Sequence, residues 1–303
     1  MRRPSAVTLV EVGPRDGLQN EASPIGTDDK VAFVDALSAA GHRVIEVSSF
    51  VSPKWVPQMA DAAEVFARIT RRPGVRYTAL VPNLAGLERA LAARVDEIAV
   101  FAAASETFSH RNINASIDDA LARYAEVVRT AAASGLRARG YVSCAFGCPF
   151  EGAVAPEAVR RVTAALLDAG CYEVAVSDTI GIGHPGQVQR LVTVLLESLS
   201  PHRLALHFHD TRGMALANVL AGLDAGIATF DASAGGLGGC PFAPGASGNL
   251  ATEDLLYMLD GLGITTGVSL TGVAAASTAL ASRLDHPLRS RYLQALAACA
   301  RPA

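Results

Sequence analysis

The sequence lacks the features that mark membrane proteins and nucleic-acid-binding proteins. No uninterrupted apolar run among its 303 residues reaches the roughly 20 residues that a membrane-spanning helix needs. Lys, Arg, Asp and Glu are mixed along the chain and leave a formal net charge of -3, so there is neither a basic stripe nor an acidic tail. We therefore expect a small-molecule ligand, no nucleic-acid partner and no membrane contact.

Cysteine is scarce, and the N-terminus has no targeting signal. The chain contains five cysteines, an odd number scattered among aliphatic residues, which is typical of a reduced protein and not of a disulfide scaffold. A strand-like run begins by Val7, which leaves no room for an apolar signal core or a transit peptide. These two absences predict a cytoplasmic protein.

Linkers and low-complexity segments are absent as well. Half of the residues are hydrophobic, so the chain is able to bury a large core. The sequence therefore predicts one catalytic domain over residues 1–303, with a barrel at about 7–263 and helices at about 264–303.

Eight short β-rich segments alternate with segments of helical periodicity. The predicted strands cover residues 7–12, 43–49, 76–81, 97–102, 137–143, 173–178, 204–209 and 229–235. Eight strands separated by helices match a closed parallel barrel, whereas a doubly wound sheet usually has fewer strands and a dinucleotide fingerprint, which is missing here. The predicted fold class is α/β, a (β/α)8 TIM barrel with a C-terminal helical extension.

Helix boundaries are marked by residues with specific backbone preferences. Thr27 is suited to cap a helix, and Pro156 and Pro185 are suited to the first helical position. Gly41, Gly170 and Gly226 each follow an alanine at a predicted helix end and fit a left-handed cap. These signals predict a repeating helix–turn–strand unit.

Polar residues cluster at the predicted carboxyl ends of the strands, where TIM barrels carry their active sites. Candidate functional residues at these ends are Arg15, Asp16, Glu46, Asp178, His207, His209, Cys240 and Asn249. Asp16 and Asp178 precede Thr or Gly and also fit the role of simple turn formers. Glu46 lies in an apolar strand, so its carboxylate needs a partner such as Arg15 or a histidine.

The segment "HFHDTR" places two histidines at the end of the seventh strand. Side chains alternate along a strand, so His207 and His209 point to the same side. A hydrogen-bonded histidine pair is one interpretation, and a metal site is the other. One carboxylate, two imidazoles and an amide oxygen suit Mg2+ or Mn2+, although imidazole also suits Zn2+ or Co2+.

The cysteines divide into two groups. Cys240 lies in a glycine-rich stretch over residues 235–249 that is suited to close over substrate, so an acid or base role fits it better than a fixed ligand role. A phosphate-binding loop is the alternative interpretation of this stretch. Cys144, Cys148 and Cys171 are predicted to be structural.

Six motifs together resemble a known enzyme family. They are "VEVGPRDGLQNE", "SSFVSPKWVPQM", "RGYVSCAFGCPFEG", "CYEVAVSDTIGIGHPG", "HFHDTRGMALAN" and "GLGGCPFAPGASGNLATEDLLYML". From about Val10 to about Gly267 the chain resembles the 3-hydroxy-3-methylglutaryl-CoA (HMG-CoA) lyases, which are related to isopropylmalate and homocitrate synthases. The resemblance implies metal-dependent cleavage of HMG-CoA to acetyl-CoA and acetoacetate, a reaction of leucine degradation.

The resemblance also implies roles for individual residues. Asp16, His207 and His209 would bind a divalent cation, Mg2+ or Mn2+, with Asn249 as a ligand or close neighbour. Asp16 or His207 would take the hydroxyl proton, Arg15 would stabilise the thioester enolate, and Cys240 would protonate it. Glu46 would hold Arg15 and the metal site, and Asp178 would support the acid–base residues. Gln19, Ser49 and Arg212 join Arg15 as predicted substrate-binding residues.

Two departures from the family pattern leave the substrate open. Arg212 and Met214 stand where the familiar enzyme has Tyr and Gln. A lyase for a bulkier 3-hydroxy-3-alkylglutaryl-CoA is therefore one alternative. An acetyl-CoA-dependent Claisen-condensing transferase and a barrel that binds metal without catalysis are two others. We expect an acyl-CoA substrate and a homo-oligomer, a dimer or larger.

Overall fold

Eight parallel strands close into a barrel in sequential order, from β1 through β8 and back to β1. The computed structural model describes residues 3–239 and 248–299. The strands are β1 (Thr8–Glu11), β2 (Val44–Ser49), β3 (Arg76–Leu80), β4 (Glu97–Ala103), β5 (Arg137–Ser143), β6 (Glu173–Asp178), β7 (Leu204–Phe208) and β8 (Thr229–Ala232). The predicted TIM barrel is confirmed. The eighth strand ends three residues early because the chain enters a 3-10 turn at Ala234–Gly236.

Helices surround the barrel and extend beyond it. They are α1 (Thr27–Ala39), α2 (Ala62–Arg68), α3 (Leu84–Ala92), α4 (Glu106–Ile113), α5 (Ile117–Ala133), α6 (Pro156–Asp168), α7 (Pro185–Leu196), α8 (Ala215–Asp224), α9 (Thr252–Gly261), α10 (Leu270–Ala281) and α11 (Arg291–Cys299). Pro156 and Pro185 occupy the predicted first positions. Gly41, Gly170 and Gly226 follow α1, α6 and α8 with positive φ, as expected for left-handed caps.

The prediction that Thr27 caps α1 is wrong. Gly26 is the capping residue, in an extended conformation, and Thr27 is the first residue of the helix. The Thr27 hydroxyl instead donates to Asp61 Oδ2 at 2.9 Å, before α2. A tertiary hydrogen bond has therefore replaced the local one that the sequence pattern favours.

The barrel has an apolar outer layer and a mixed interior. Large aliphatic side chains fill the space between strands and helices. Inside the barrel, the apolar cluster consists of Leu80, Ala99, Tyr141, Ala175 and Ala205. Several of these side chains are small, which leaves interior space for the charged groups described below.

The C-terminal helical extension packs beside β8. Helix α10 contacts α1 and the turn at Ala234–Gly236, and α11 contacts α9. The Gly235 carbonyl accepts hydrogen bonds from the amides of Arg289 (2.9 Å) and Ser290 (3.2 Å). The predicted extension is confirmed, and it supports the segment that follows β8. Within the described ranges, no helix combines the length and apolar character needed to cross a membrane.

Candidate metal centre and active site

Asp16, His207 and His209 converge at the carboxyl end of the barrel. One carboxylate oxygen and one nitrogen from each ring lie within 4.8 Å of one another. His207 lies on β7, and His209 follows that strand and forms a bridge with Asn249 from beyond β8. The strand alternation predicted from the sequence therefore brings the two imidazoles to one place.

A single π-helical turn over Gly13–Gly17 presents Arg15 and Asp16. The Val12 carbonyl accepts hydrogen bonds from the amides of Asp16 (2.8 Å) and Gly17 (3.1 Å), so the chain reverses tightly after β1. A Cβ atom at Gly17 would lie 2.8 Å from Ser233 Oγ. Only glycine permits this approach, which places the turn against the segment after β8. Such isolated π-turns are frequent at functional sites.

Arg15 joins the metal-ligand candidate Asp16 to a carboxylate on another strand. Its Nη1 donates to Asp16 Oδ1 at 2.5 Å, and its Nε donates to Glu46 Oε1. Burial acts to raise the pKa of Asp16, but Arg15 and the two histidines outweigh it and lower that pKa to about 2. Asp16 is therefore an ionised carboxylate at neutral pH, as a cation ligand must be.

The two histidines have different environments. Burial, together with neighbouring His207, lowers the pKa of His209 to about 4, so this imidazole is neutral at pH 7. Burial acts to lower the pKa of His207 too, but the hydrogen bond and charge of Asp231 outweigh it and raise that pKa. His207 Nδ1 lies 3.2 Å from Asp231 Oδ2.

Asn249 completes a donor set that fits a divalent cation. Its Nδ2 donates to Asp16 Oδ2 (2.9 Å) and to the Leu237 carbonyl (3.1 Å). Its Oδ1 and His209 Nδ1 are buried and have no hydrogen-bond partner among residues 3–239 and 248–299. Unpartnered buried acceptors are rare and costly, and a cation beside Asp16 would satisfy them. The residues present therefore fit a metal.

Sequence reasoning missed a buried polar network behind the site. Arg139 donates to Asp231 Oδ1 (2.7 Å), to Glu173 Oε1 (2.9 Å) and to the Tyr141 hydroxyl (2.8 Å). The Tyr141 hydroxyl donates to Glu46 Oε2 at 3.1 Å, which links the network to Arg15. The signal in the sequence is a charged residue inside a predicted strand. Arg139 in β5 and Asp231 in β8 carry this signal, as Glu46 does in β2.

Asp178 lies in a different arrangement from the ligand candidates. Its two oxygens accept hydrogen bonds from the amides of Ile182 (3.0 Å) and Gly183 (2.9 Å), which matches the turn-forming interpretation. Burial raises its pKa, although His207 and Arg212 act in the opposite direction. Asp178 therefore stabilises the turn after β6, and it is close enough to His207 and Arg212 for their charges to affect its pKa.

The predicted substrate-binding residues differ in exposure. Gln19 is half-buried just after the π-turn, and Ser49 is buried at the end of β2 with its hydroxyl accepting from the Val51 amide at 3.3 Å. Arg212 is exposed, and its Nη1 donates to the carbonyls of Ile180 (3.2 Å) and Gly181 (2.9 Å). Cys240 lies outside the described residues.

A cavity of about 500 Å3 opens beside the candidate metal ligands. Its lining includes Asn249 and three arginines, Arg212 from the turn before α8 and Arg289 and Arg291 from the C-terminal extension. Asp210 and Asp254 are the acidic members of the lining. Of the candidate ligands, Asn249 is the one in this lining, so the cavity brings three guanidinium groups to the side of the site where Asn249 lies.

Cys144, Cys148 and Cys171 are buried, as predicted for structural cysteines. Cys148 Sγ accepts a hydrogen bond from Ser105 Oγ at 3.0 Å. Burial raises the pKa of the Cys171 thiol to about 12, so it is uncharged at neutral pH.

Comparisons of this chain with known proteins agree on one family. The HMGL-like family model matches residues 6–280. A 3-hydroxy-3-isohexenylglutaryl-CoA/hydroxymethylglutaryl-CoA lyase of Pseudomonas aeruginosa is 55% identical over 98% of this chain and 99% of its own.

Solved structures agree over the whole chain. Hydroxymethylglutaryl-CoA lyase from Pseudomonas aeruginosa superposes with a TM-score of 0.97 at 55% identity, covering 99% of this chain and 100% of the other. An HMG-CoA lyase from Acinetobacter baumannii, in complex with coenzyme A and 3-methylmalate, gives a TM-score of 0.92 at 40% identity, covering 99% and 96%. The protein belongs to the HMGL-like family.

Proposed function

We propose that the protein is a divalent-metal-dependent carbon–carbon lyase that cleaves HMG-CoA to acetyl-CoA and acetoacetate. The observation that carries the proposal is the convergence of Asp16, His207 and His209 beside Asn249, with Arg15 bound to Asp16. The high identity to a hydroxymethylglutaryl-CoA lyase supports the reaction and substrate class.

The charge of the buried network supports a divalent cation. The hydrogen-bonded set contains four carboxylates and two guanidiniums: Asp16, Glu46, Glu173, Asp231, Arg15 and Arg139. Its formal charge is therefore two negative, which a divalent ion would neutralise. We propose Mg2+ or Mn2+, held by Asp16, His207, His209 and Asn249, because carboxylate, imidazole and amide ligands suit both ions.

A bound divalent cation supplies Lewis acidity, which lowers the pKa of the substrate C3 hydroxyl. The two candidate bases are Asp16 and His207. Both are proposed ligands, and each has a charged partner: Arg15 binds Asp16 Oδ1, and Asp231 faces His207 Nδ1. A carboxylate with a pKa of about 2 is a weak base, so it requires an acidified hydroxyl. Arg15 then stabilises the negative charge that develops on the thioester oxygen, and Cys240 protonates the enolate carbon.

We place the CoA phosphates in the cavity lined by Arg212, Arg289 and Arg291. Guanidinium groups bind phosphate with two parallel hydrogen bonds, and the lining of the cavity includes the proposed ligand Asn249. A relative with coenzyme A bound in its structure supports an acyl-CoA ligand.

A second candidate substrate carries a longer 3-substituent. The Pseudomonas aeruginosa relative is named for cleavage of 3-hydroxy-3-isohexenylglutaryl-CoA as well as HMG-CoA. Met214, 42% exposed, offers an apolar surface two residues after Arg212. The same protein sample, supplied with Mg2+ and either thioester, tests both substrates. Acetoacetate from HMG-CoA supports the first candidate, and cleavage of the isohexenyl thioester alone would transfer the function to the second.

We also propose a cytoplasmic homo-oligomer. Cys148, Cys171 and Cys299 are free thiols, which suits a reducing compartment. Three apolar side chains are exposed near the C-terminus: Tyr257 on α9, Leu262 directly after α9, and Leu296 on α11. A second copy of the chain would cover them. Light scattering on the purified protein measures the assembly directly, and a monomer at micromolar concentration would contradict it.

A further inference from the structure

We propose that Asp231 is a positioning residue that fixes the His207 ring in one tautomer and leaves its Nε2 lone pair for the cation. Asp231 lies on β8, next to β7, and its register partner is His207 itself. Its Oδ2 is 3.2 Å from His207 Nδ1, and the side chain is fully buried. The inference rests on the proposed metal site.

An ionised carboxylate accepts hydrogen bonds and cannot donate them. His207 Nδ1 must therefore carry the proton in this pair, and in the neutral ring that a cation requires Nε2 is the unprotonated nitrogen. Metal-binding histidines generally have their second nitrogen held in this way, which sets the ring orientation as well as the tautomer. The carboxylate thus acts on the metal site through His207, without contacting the ion.

Arg139 holds Asp231 rigidly. Two of its nitrogens contact the carboxylate, Nη2 to Oδ1 at 2.7 Å and Nη1 to Oδ2 at 3.2 Å. The guanidinium is in turn bound by Glu173 and by the Tyr141 hydroxyl, so it cannot rotate away. Because this pair lies inside the barrel, its orientation is set by the scaffold and not by a loop.

Glu173 supplies a matched control. It is a second carboxylate bound to Arg139, on β6, and it accepts its hydrogen bond from the Nε atom of that guanidinium. Replacing either carboxylate removes one negative charge beside the same guanidinium. Only the replacement of Asp231 changes the group that faces His207 Nδ1.

The test compares Asp231→Asn with Glu173→Gln in the full-length protein. In Asp231→Asn the amide oxygen is required by Arg139, so the NH2 group faces His207 Nδ1 and favours the opposite tautomer. We expect Mn2+ binding, followed by the electron paramagnetic resonance signal of the free ion, to weaken 10- to 100-fold. Glu173→Gln should stay within about threefold of the wild type, since it leaves the His207 contact intact.

Nitrogen NMR of the histidine-labelled wild type gives an independent measurement that leaves Asp231 unchanged. We expect the His207 ring, assigned by its loss in His207→Gln, to carry its proton on Nδ1 with Mg2+ present. A proton on Nε2, or Mn2+ affinity in Asp231→Asn equal to that of Glu173→Gln, would overturn the inference. A wild type that binds no Mn2+ would instead overturn the proposed metal site itself.

Discussion

At the scale of single residues, Glu11 shows how one buried carboxyl group holds the site together. Its Oε1 accepts hydrogen bonds from the amides of Gly13 (2.8 Å) and Ala234 (2.9 Å), and its Oε2 accepts from Thr252 Oγ1 (2.7 Å). These partners begin the π-turn of Arg15, the segment after β8, and α9. One side chain therefore joins three segments that frame the barrel mouth.

Glu11 should also make stability depend on pH. Burial raises its pKa to about 8, so between pH 4.5 and 8 the folded protein holds a proton that the unfolded chain has released. Stability contributed by this group therefore falls as the pH rises through that range. Burial lowers the pKa of neighbouring His42 to about 3. The stability that His42 contributes is therefore lost only as the pH falls below 6.5.

Glu11→Gln isolates this effect. The Gln oxygen retains both backbone hydrogen bonds, and its NH2 group donates to Thr252, whose hydroxyl reverses. We expect the free energy of unfolding of the variant relative to wild type to increase by up to about 2 kcal/mol between pH 6.5 and 8. Urea unfolding at both pH values measures it, with exposed Glu88→Gln as control. Parallel pH curves for Glu11→Gln and wild type would contradict the assignment.

The proposed role of Cys240, protonation of the enolate carbon, is tested by removing its thiol. If its thiol protonates the enolate carbon, Cys240→Ala should lose turnover by about 10²-fold or more while Mn2+ and substrate still bind. Steady-state acetoacetate formation and Mn2+ binding on the same sample check both parts. Near-normal turnover would remove the thiol from the mechanism. Cys171→Ala, which replaces a buried thiol at the opposite end of the barrel, serves as the control.

The site residues also show where sequence reasoning succeeds and where it stops. Asp16, His207 and His209 could be predicted to meet because parallel strands end at one face of a barrel. The pairing of His207 with Asp231 could not, because His207 has several polar candidates across the barrel and only strand register selects one. Glu46 was expected to bind Arg15, and it does, but its second partner Tyr141 comes from a strand that is not its neighbour.

At the scale of elements, the glycines of two helices should respond oppositely to substitution. A Cβ atom at Gly222 in α8 would lie 2.5 Å from Leu206 Cδ1 and 3.2 Å from Phe230 Cε1, both in the outer core, whereas one at Gly261 in α9 meets nothing within 4 Å. Helix α8 therefore packs more closely on the barrel than α9 does at its end.

We expect Gly222→Ala to lower the free energy of unfolding by about 1 to 2 kcal/mol, because overpacking exceeds the gain in helix propensity. Gly261→Ala should raise it by up to about 1 kcal/mol through propensity alone. Thermal and urea unfolding of the two variants and the wild type measure both changes in the free energy of unfolding. Equal effects would show that α8 adapts to the extra methyl group, contrary to the packing described.

Element boundaries were predicted best where a backbone constraint marks them. Pro156, Pro185 and the three positive-φ glycines have restricted or unusual dihedral angles, so the sequence alone places the helix ends. Thr27 was misassigned because its hydroxyl has a distant partner in Asp61, which no local pattern reveals. The π-turn at Gly13–Gly17 was likewise not predicted, since it depends on contact with the segment after β8.

At the scale of the whole molecule, the candidate site draws on the first and the last strands of the barrel. Asp16 follows β1, His207 lies on β7 and His209 follows it. The site is complete only because β1 pairs with β8 and closes the ring. The C-terminal extension contributes Arg289 and Arg291 to the adjoining cavity. Barrel closure therefore brings the candidate ligands from β1 and β7 together.

The most direct test of the central claim follows bound metal and product in one titration. Metal-free protein is titrated with Mn2+ in the presence of HMG-CoA, and bound ion and acetoacetate are measured at each step. The account predicts that the rate follows occupancy of one site per chain and that Asp16→Asn abolishes both together. Full acetoacetate formation by the metal-free protein in the presence of a chelator would contradict it.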